Sequence, residues 1–355
     1  MTKPLVTHVL WTLERGGAER VVFDLARQLP MHGFRTRVLT VAGAGSWKRM
    51  FDEQGIDVHA APIGTRMEAV RFLRDEMRHD RPAILHTHLG ADVWGGIAAW
   101  CERMHPWIVT LHNEDRDIRT TYHLARRIAY KRADQIVCVS DAVRLAAKRL
   151  YRVPDAKLSV IPNGIDFARV IQRPYHSFHD VPRLIAVGRL VPQKDHATLL
   201  TALAQVHRPW RLTIVGEGAE RSRLRELATT LGLLPRIDFI GVVDDLPQRL
   251  AEHDLFCFPS RWEGQGLALL EAAAAGIPCL ASDLPVLHEM FDDRAISYTP
   301  SGSVAAWSVA IAHALAHPEV MLAKTPVAAA IVRKRYDLTH SVERYARLYH
   351  SLIAQ

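Results

Sequence analysis

Two acids eight residues apart, Glu263 and Glu271, lie in the run RWEGQGLALLEAAAAG. Gly264 and Gly266 between them put the first acid in a loop and the second inside a helix. Ionised carboxylates only accept hydrogen bonds, which suits the paired hydroxyls of a sugar or ribose. The amides of Gly264, Gln265, Gly266 and Leu267 open the same helix, and a helix start gathers unpaired N–H groups that favour a diphosphate. Upstream, VGRLVPQKD carries Arg189 and Lys194 in a loop interrupted by proline. Two cations at that spacing can converge on one diphosphate, Arg as a fork and Lys as a point charge. Taken singly, each of these charges also fits an ordinary solvated loop. An acid flanked by glycine beside Trp262, directly after the apolar run LFCFP, makes an odd surface.

Three further sites carry weaker chemistry. Gly16 and Gly17 in ERGGAER open a helix and let the backbone approach a phosphate. The three spaced glycines of a dinucleotide fingerprint are missing, no acid is placed for an NAD ribose, and on its own the pair reads as a tight strand-to-helix turn. His112, in TLHNED at a strand end, can hydrogen-bond a sugar hydroxyl or support charge at an anomeric carbon. A capping role is the plainer alternative. His86 and His88 in HTH share one sheet face, as metal ligands sometimes do. No third ligand is evident in the sequence, so a structural or acceptor-contact role is expected and no metal.

The elements that must hold these residues are strand-length apolar runs alternating with helical patterns, an α/β arrangement with parallel sheets. In the first half the runs are 6–13, 37–41, 84–89, 108–112, 135–139 and 158–161. In the second they are 183–187, 211–215, 237–242, 255–259 and 278–281. Between the halves, FARVIQRPYHSFHDVP has no clear period and reads as a linker. The expected organisation is a Rossmann-like domain over 1–166, a linker over 167–182 and a second Rossmann-like domain over 183–337. A terminal helix within 338–355 follows, with Tyr345, Leu348 and Leu352 near one face. Doubly wound sheets bind ligands beyond the carboxyl ends of their strands, so both domains are expected to face one central cleft.

Composition limits what such a chain can be. No uncharged stretch reads as a bilayer span, and the start lacks an apolar signal core, so a cytoplasmic location is expected. Cys101, Cys138, Cys257 and Cys279 are far apart in apolar runs, which points to buried thiols and away from a zinc or disulfide framework. Residues 1–180 carry 27 Lys/Arg against 20 Asp/Glu, and residues 181–355 carry 18 of each. The basic excess therefore belongs to the first half and favours an anionic partner. Arg66, Arg71, Arg74, Arg78 and Arg81, and then Arg126, Arg127, Lys131 and Arg132, read as basic faces of surface helices suited to an anionic membrane. No aromatic-and-basic nucleic-acid motif accompanies them, so no nucleic-acid partner is expected.

Together, GGAER, IPNGID, VGRLVPQKD, IVGEGAER and PSRWEGQGLALLEAAAAGIPCLASD resemble family four of the retaining glycosyltransferases, which have the GT-B fold. The matches run from residue 8 to about 290 in the family's order. The resemblance implies that Arg189 and Lys194 bind the donor diphosphate, that Glu271 holds the ribose, and that Glu263 with residues 264–266 contacts the donor sugar. Gly17, beside Gly16, would approach the donor from the other domain, Gly216 and the amides of Gly241 and Val242 would lie near the nucleotide, and His112 would face the sugar. Gln265 stands where relatives usually carry Phe, a departure that bears on sugar preference. Asp115 and Asp117 in EDRD have the spacing of the metal-diphosphate motif of the other large glycosyltransferase fold. They are expected to face the acceptor, because the implied fold needs no essential metal or other cofactor.

The implied activity is retaining transfer from a nucleotide-diphosphate sugar, UDP before GDP, to a glycan or lipid-linked acceptor in envelope polysaccharide or glycolipid assembly. A sugar-nucleotide epimerase or a phosphorylase on the same fold, and a non-enzymatic nucleic-acid-binding protein, are the alternatives.

Overall fold

The computed structural model describes residues 3–88, 90–114, 120–174 and 177–354. These form two compact units, one from residues 1–164 with 338–355 and the other from residues 165–337.

The first unit is a parallel seven-stranded sheet. Its strands are β1 (Leu5–Leu10), β2 (Arg35–Thr40), β3 (Asp57–Ala60), β4 (Ile84–His88), β5 (Trp107–Leu111), β6 (Gln135–Cys138) and β7 (Leu158–Val160), in the order β3-β2-β1-β4-β5-β6-β7. The interleaved helices are α1 (Gly17–Gln28), α2 (Lys48–Glu53), α3 (Arg66–Asp80), α4 (Asp92–Glu102), α5 (Thr120–Arg132) and α6 (Asp141–Tyr151). β1, β4 and β5 are buried along their whole length, as central parallel strands covered on both faces must be. The edge strand β3 is half exposed and escaped the apolar-run reading for that reason. Helix α4 sits unusually close to the sheet. A Cβ at Gly96 would fall 2.4 Å from the Trp107 ring, so this helix keeps a residue that is intrinsically poor in helices.

The second unit repeats the scheme with six strands: β8 (Arg183–Val187), β9 (Arg211–Val215), β10 (Ile237–Gly241), β11 (Leu255–Phe258), β12 (Cys279–Ser282) and β13 (Ser297–Thr299), ordered β10-β9-β8-β11-β12-β13. Its helices are α7 (His196–Leu203), α8 (Arg221–Thr230), α9 (Leu246–Ala251), α10 (Leu267–Ala274), α11 (Pro285–His288), α12 (Val304–Ala316), α13 (Pro318–Leu322) and α14 (Thr325–Arg335). Leu184, Ala186, Leu212, Ile214, Leu255 and Cys257 supply the strand side of a core closed by Leu199, Leu203, Trp307 and Ile311.

The described part of the 167–182 stretch belongs to this second unit. The Arg173 guanidinium is buried against Asp254, donating to its Oδ1 at 2.7 Å, and the Arg173 N–H donates to the Ala275 carbonyl. The missing period there reflects a segment held by polar bonds, since such bonds leave no hydrophobic repeat. The terminal helix α15 (Leu338–Ile353) packs on the first unit, against α1 and the turn that follows it. Its buried residues are Leu338, Ser341, Val342, Tyr345, Ala346 and Tyr349, so Tyr349 takes the place expected for Leu348 and Leu352, which are only partly buried.

Two expectations about composition need correction. Cys101 is exposed, while Cys138, Cys257 and Cys279 are buried, with burial pushing the Cys138 thiol up to about 12 and the other two higher still. Arg126 is no surface charge: it is buried and paired with buried Asp92 at 2.7 Å. Arg74 and Arg78 both engage Glu102, which takes much of the basic character from α3. Among the described residues no helix is long and apolar enough to cross a membrane.

Candidate functional site

In the second unit the strand order reverses direction between β8 and β11, the position where doubly wound sheets open a crevice at their carboxyl ends. The loop after β8 carries Arg189 and Lys194, and the loop after β11 carries Glu263 to Gly266 before α10 begins. Several polar bonds close the two loops on each other. Lys194 Nζ donates to Glu263 Oε1 at 2.5 Å, Gln193 Nε2 donates to the Trp262 carbonyl at 2.8 Å, and the Arg261 N–H donates to the Gln193 carbonyl at 2.8 Å. Arg261 Nε also meets Asp195 Oδ2 at 3.0 Å.

Asp195 anchors this junction. It is buried with a left-handed backbone (φ 46°), and it accepts the Thr198 hydroxyl at 2.8 Å while pairing with Arg261. Sequence reasoning passed over it. The available signal was an acid at the last position before a helix, where its side chain bonds the first turn.

Lys194 is half-buried. Its stem lies over Gly188, where a Cβ would come 3.2 Å from Cγ and Cδ, and its ammonium sits 5.3 Å from the Phe258 ring centre. Arg189 is exposed; its carbonyl accepts the Val191 N–H at 2.9 Å, and its side chain has no hydrogen-bond or ion-pair partner among the described residues. Glu263 and Gln265 are buried, and Glu271 is half-buried in the second turn of α10. Gly266 caps α10 with φ 96°, a conformation a side chain would strain, and Leu267 is the first helical residue.

Strand ends next door come close backbone to backbone. The Gly216 N–H donates to the Gly241 carbonyl at 2.7 Å, and a Cβ on Gly216 would lie 2.0 Å from the Gly188 carbonyl oxygen. The ends of β8, β9 and β10 thus form a floor without side chains at 188, 216 and 241, with Val242 exposed beside it.

The corresponding turn of the first unit is built differently. Gly16 is the cap of α1, in extended backbone, and Gly17 is its first residue. The Glu19 carboxylate folds back over this helix start, so that a Cβ on Gly16 would fall 2.4 Å from its Oε2. An acid in the first turn suits the positive end of the helix dipole.

Beside this turn the sheet is lined with imidazoles. His8 on β1 is in register with His86 on β4, and His88 is in register with Thr110, two residues before His112. His8 Nδ1 lies 3.2 Å from His88 Nε2, and His88 Nδ1 lies 3.1 Å from His112 Nε2. His86 is occupied elsewhere, Nδ1 by the Tyr349 hydroxyl at 2.6 Å and Nε2 by Thr110 Oγ1 at 2.7 Å. Burial lowers the pKa of His8 to about 3 and of His112 to about 4, and it holds His86 and His88 well below the ordinary value. All four are therefore neutral at neutral pH.

A third candidate ligand for the HTH pair does exist, contrary to the sequence expectation. Nitrogens of His8, His86 and His88 lie within 4.8 Å of one another. A shared metal would have to break one of the two bonds His86 already makes. Glu114 is described, and its N–H donates to Asn113 Oδ1. Asp115 and Asp117 lie outside the described residues.

Comparison with known proteins bears on these two turns. Residues 15–169 match the family model described as Glycosyltransferase Family 4, and residues 169–328 match Glycosyl transferases group 1. The chain is similar to the phosphatidyl-myo-inositol mannosyltransferase of Mycobacterium leprae, 33% identical, with 95% of this chain and 93% of that one covered. It is also similar to the Escherichia coli UDP-Gal:alpha-D-GlcNAc-diphosphoundecaprenol alpha-1,3-galactosyltransferase, 28% identical over 61% of this chain. There the chain spans 62% of the relative's length, less than two thirds. In fold it is similar to the Anabaena protein HepE in complex with UDP and glucose, with a TM-score of 0.87 and 22% identity, covering 98% of this chain and 100% of that one.

Proposed function

The chain belongs to glycosyltransferase family four and has its GT-B fold, and we propose that it moves a sugar from a nucleotide-diphosphate donor to a hydroxyl of a glycan or lipid-linked acceptor in envelope assembly. The observation that carries this reading is the join between the β8 and β11 loops. Lys194 is held against Glu263 there, and Arg189 stands exposed and unpartnered beside the floor at 188, 216 and 241. These two loops offer what a diphosphate site needs: a guanidinium fork, an ammonium and a helix start, beside backbone that can be approached closely.

In this reading Arg189, Lys194 and the amides at 264–267 hold the diphosphate, Glu271 accepts from the ribose hydroxyls, and Glu263 and Gln265 face the sugar. On the first unit, His112 is proposed as a hydrogen-bonding partner for a sugar hydroxyl, and Gly16 and Gly17 as backbone that a phosphate can approach. Transfer proceeds with retention. The bond from the anomeric carbon to the diphosphate oxygen breaks as the acceptor oxygen bonds to the same face, and the acceptor proton passes to the departing phosphate oxygen. The chain's proposed contribution is electrostatic: Arg189 and Lys194 would meet the negative charge that grows on the leaving group, and charge placed in advance costs no reorganisation in the transition state. With two cations there, no metal is essential.

A uracil nucleotide is favoured, in line with the UDP-Gal donor for which the Escherichia coli relative is named, and guanine comes next. The acceptor is proposed to sit at an anionic membrane surface, met from the cytoplasmic side. Ile97 and Trp100 are exposed on α4, and Leu124, Ile128, Lys131 and Arg132 are exposed on the neighbouring α5, with the Arg132 guanidinium 5.4 Å over the Trp100 ring. An apolar and aromatic patch bordered by cations is the composition of an interfacial contact.

Thermal unfolding in the presence of UDP-, GDP- and ADP-sugars tests the donor, since a ligand bound only by the folded state raises the unfolding temperature. One sugar nucleotide should do so. Product analysis with and without a lipid-linked acceptor then tests transfer. No shift with any sugar nucleotide, or the same products without an acceptor, would reject the assignment.

A further inference from the structure

His8, His88 and His112 form a hydrogen-bonded row whose inner end is closed. The His8 Nδ1 to His88 Nε2 distance is 3.2 Å and the His88 Nδ1 to His112 Nε2 distance is 3.1 Å, so each contact holds one proton between two nitrogens. His8 and His88 are fully buried, and His8 Nε2 is buried with no hydrogen-bond partner among the described residues. Neutral imidazole has one donor and one acceptor nitrogen, so the tautomers along the row are coupled.

Two arrangements are possible. If protons point inward, His112 Nε2–H donates to His88, His88 Nε2–H donates to His8, and His8 is left with a buried N–H that has no acceptor. If they point outward, His8 Nδ1–H donates to His88, His88 Nδ1–H donates to His112 Nε2, and His8 keeps only a bare lone pair at Nε2. Orphaned N–H groups are the rarer and costlier defect in protein interiors. Removal of the rings from water keeps all three uncharged and so excludes a third arrangement with an extra proton.

We infer that His8 and His88 are positioning residues that lock His112 as the Nδ1–H tautomer, so that it acts toward a sugar hydroxyl as a hydrogen-bond donor and not as a base. This rests on the proposed transferase reading for what His112 touches, but the tautomer itself belongs to the free protein. The second nitrogen of an imidazole commonly decides the state of the first. Here the deciding nitrogen is two strands away. His86 takes no part, because both its nitrogens are bonded to Tyr349 and Thr110.

The test is long-range nitrogen–proton NMR of the full chain with ring-labelled histidine at pH 7.5, with the His112 signals assigned by their loss in His112→Gln. The expected spectrum shows His112 protonated at Nδ1 and bare at Nε2. In His88→Leu the signals should move toward Nε2–H, the form a free neutral imidazole prefers in water. In His86→Gln they should stay. Should His88→Leu fail to fold, the wild-type spectrum decides alone, since Nε2–H there overturns the inference. An unchanged tautomer in folded His88→Leu overturns it too. So does zinc that co-purifies at one equivalent per chain and whose removal by chelator shifts the His8 and His88 nitrogens, because a metal would hold the lone pairs the row needs. If a sugar nucleotide binds, His88→Leu should lower kcat by about tenfold with the donor KM nearly unchanged, and His88→Asn, which restores an N–H toward His112, should recover part of the loss. A raised KM with kcat intact would mean His88 only shapes the pocket. Absence of donor binding would defeat the transferase reading and leave the tautomer measurement standing.

Discussion

The two units solve one topological problem with opposite chemistry. Each is a doubly wound parallel sheet that opens at a strand-order reversal, β1 beside β4 in the first and β8 beside β11 in the second. At the second opening the chain places full charges, Arg189, Lys194, Glu263 and Glu271, on or next to loops that bond to each other. At the first it places neutral imidazoles, His8, His86 and His88 on the strands themselves and His112 just past the end of β5. Loop charges reach a ligand at the cost of being partly solvated. Strand imidazoles stay uncharged but are fixed by the sheet's own register. The difference teaches that one sheet topology can carry partly solvated loop charges at one opening and buried neutral imidazoles at the other.

The largest way to break this contrast is to remove the grip. Arg189→Ala and Lys194→Ala should each lower turnover by about 100-fold or more in a donor-saturated assay, as loss of a preorganised charge at a leaving group does. Near wild-type rates would place the charge elsewhere. Next in size, Asp195→Ala should cost about 1–3 kcal/mol of stability, because the buried Thr198 hydroxyl and the Arg261 guanidinium lose their acceptor. Chemical denaturation measures this, and an unchanged midpoint would show that Arg261 and Thr198 hold the loop without it.

Acid separates the units further. The unfolded chain takes up protons on its histidines below about 6.5, whereas folded His8 resists to about 3 and His112 to about 4, with His86 and His88 also held low. The unfolded state then binds more protons, so the stability these groups contribute is fully present above 6.5 and is lost as pH falls toward 4. In the second unit His196 is lowered to about 4 and His253 more mildly. The first unit should therefore open first as pH drops, which amide hydrogen exchange between pH 7 and 4.5 resolves. Earlier opening of the second unit would contradict the imidazole burial. The smallest effect is that of salt. Because Arg189 is exposed, raising ionic strength should weaken donor binding by about two- to threefold while leaving the His112 tautomer unchanged.

Which parts could be read in advance follows from the same contrast. Central strands buried on both faces announce themselves as apolar runs, so β1, β4, β5, β8 and β11 were legible. β3 and β13 are short sheet edges, β3 with exposed positions and β13 only three residues long, and left no such run. The charged turn was legible because Arg189, Lys194, Glu263 and Glu271 sit in two short stretches with glycine and proline around them. The imidazole row was not, because His8 and His88 are 80 residues apart and meet only through the pairing of β1 with β4. Arg126 misled for a similar reason. It lies in a basic stretch, but its partner Asp92 is on a different helix, and only the packing of α4 against α5 buries the pair.

The central claim is that the nucleotide is gripped by the second unit alone. Calorimetric titration of UDP, and then GDP, into the wild type, Lys194→Ala and His112→Ala tests it most directly. The account expects one nucleotide to bind the wild type and His112→Ala with similar affinity and to bind Lys194→Ala at least about tenfold more weakly. Binding abolished by His112→Ala and untouched by Lys194→Ala would contradict it.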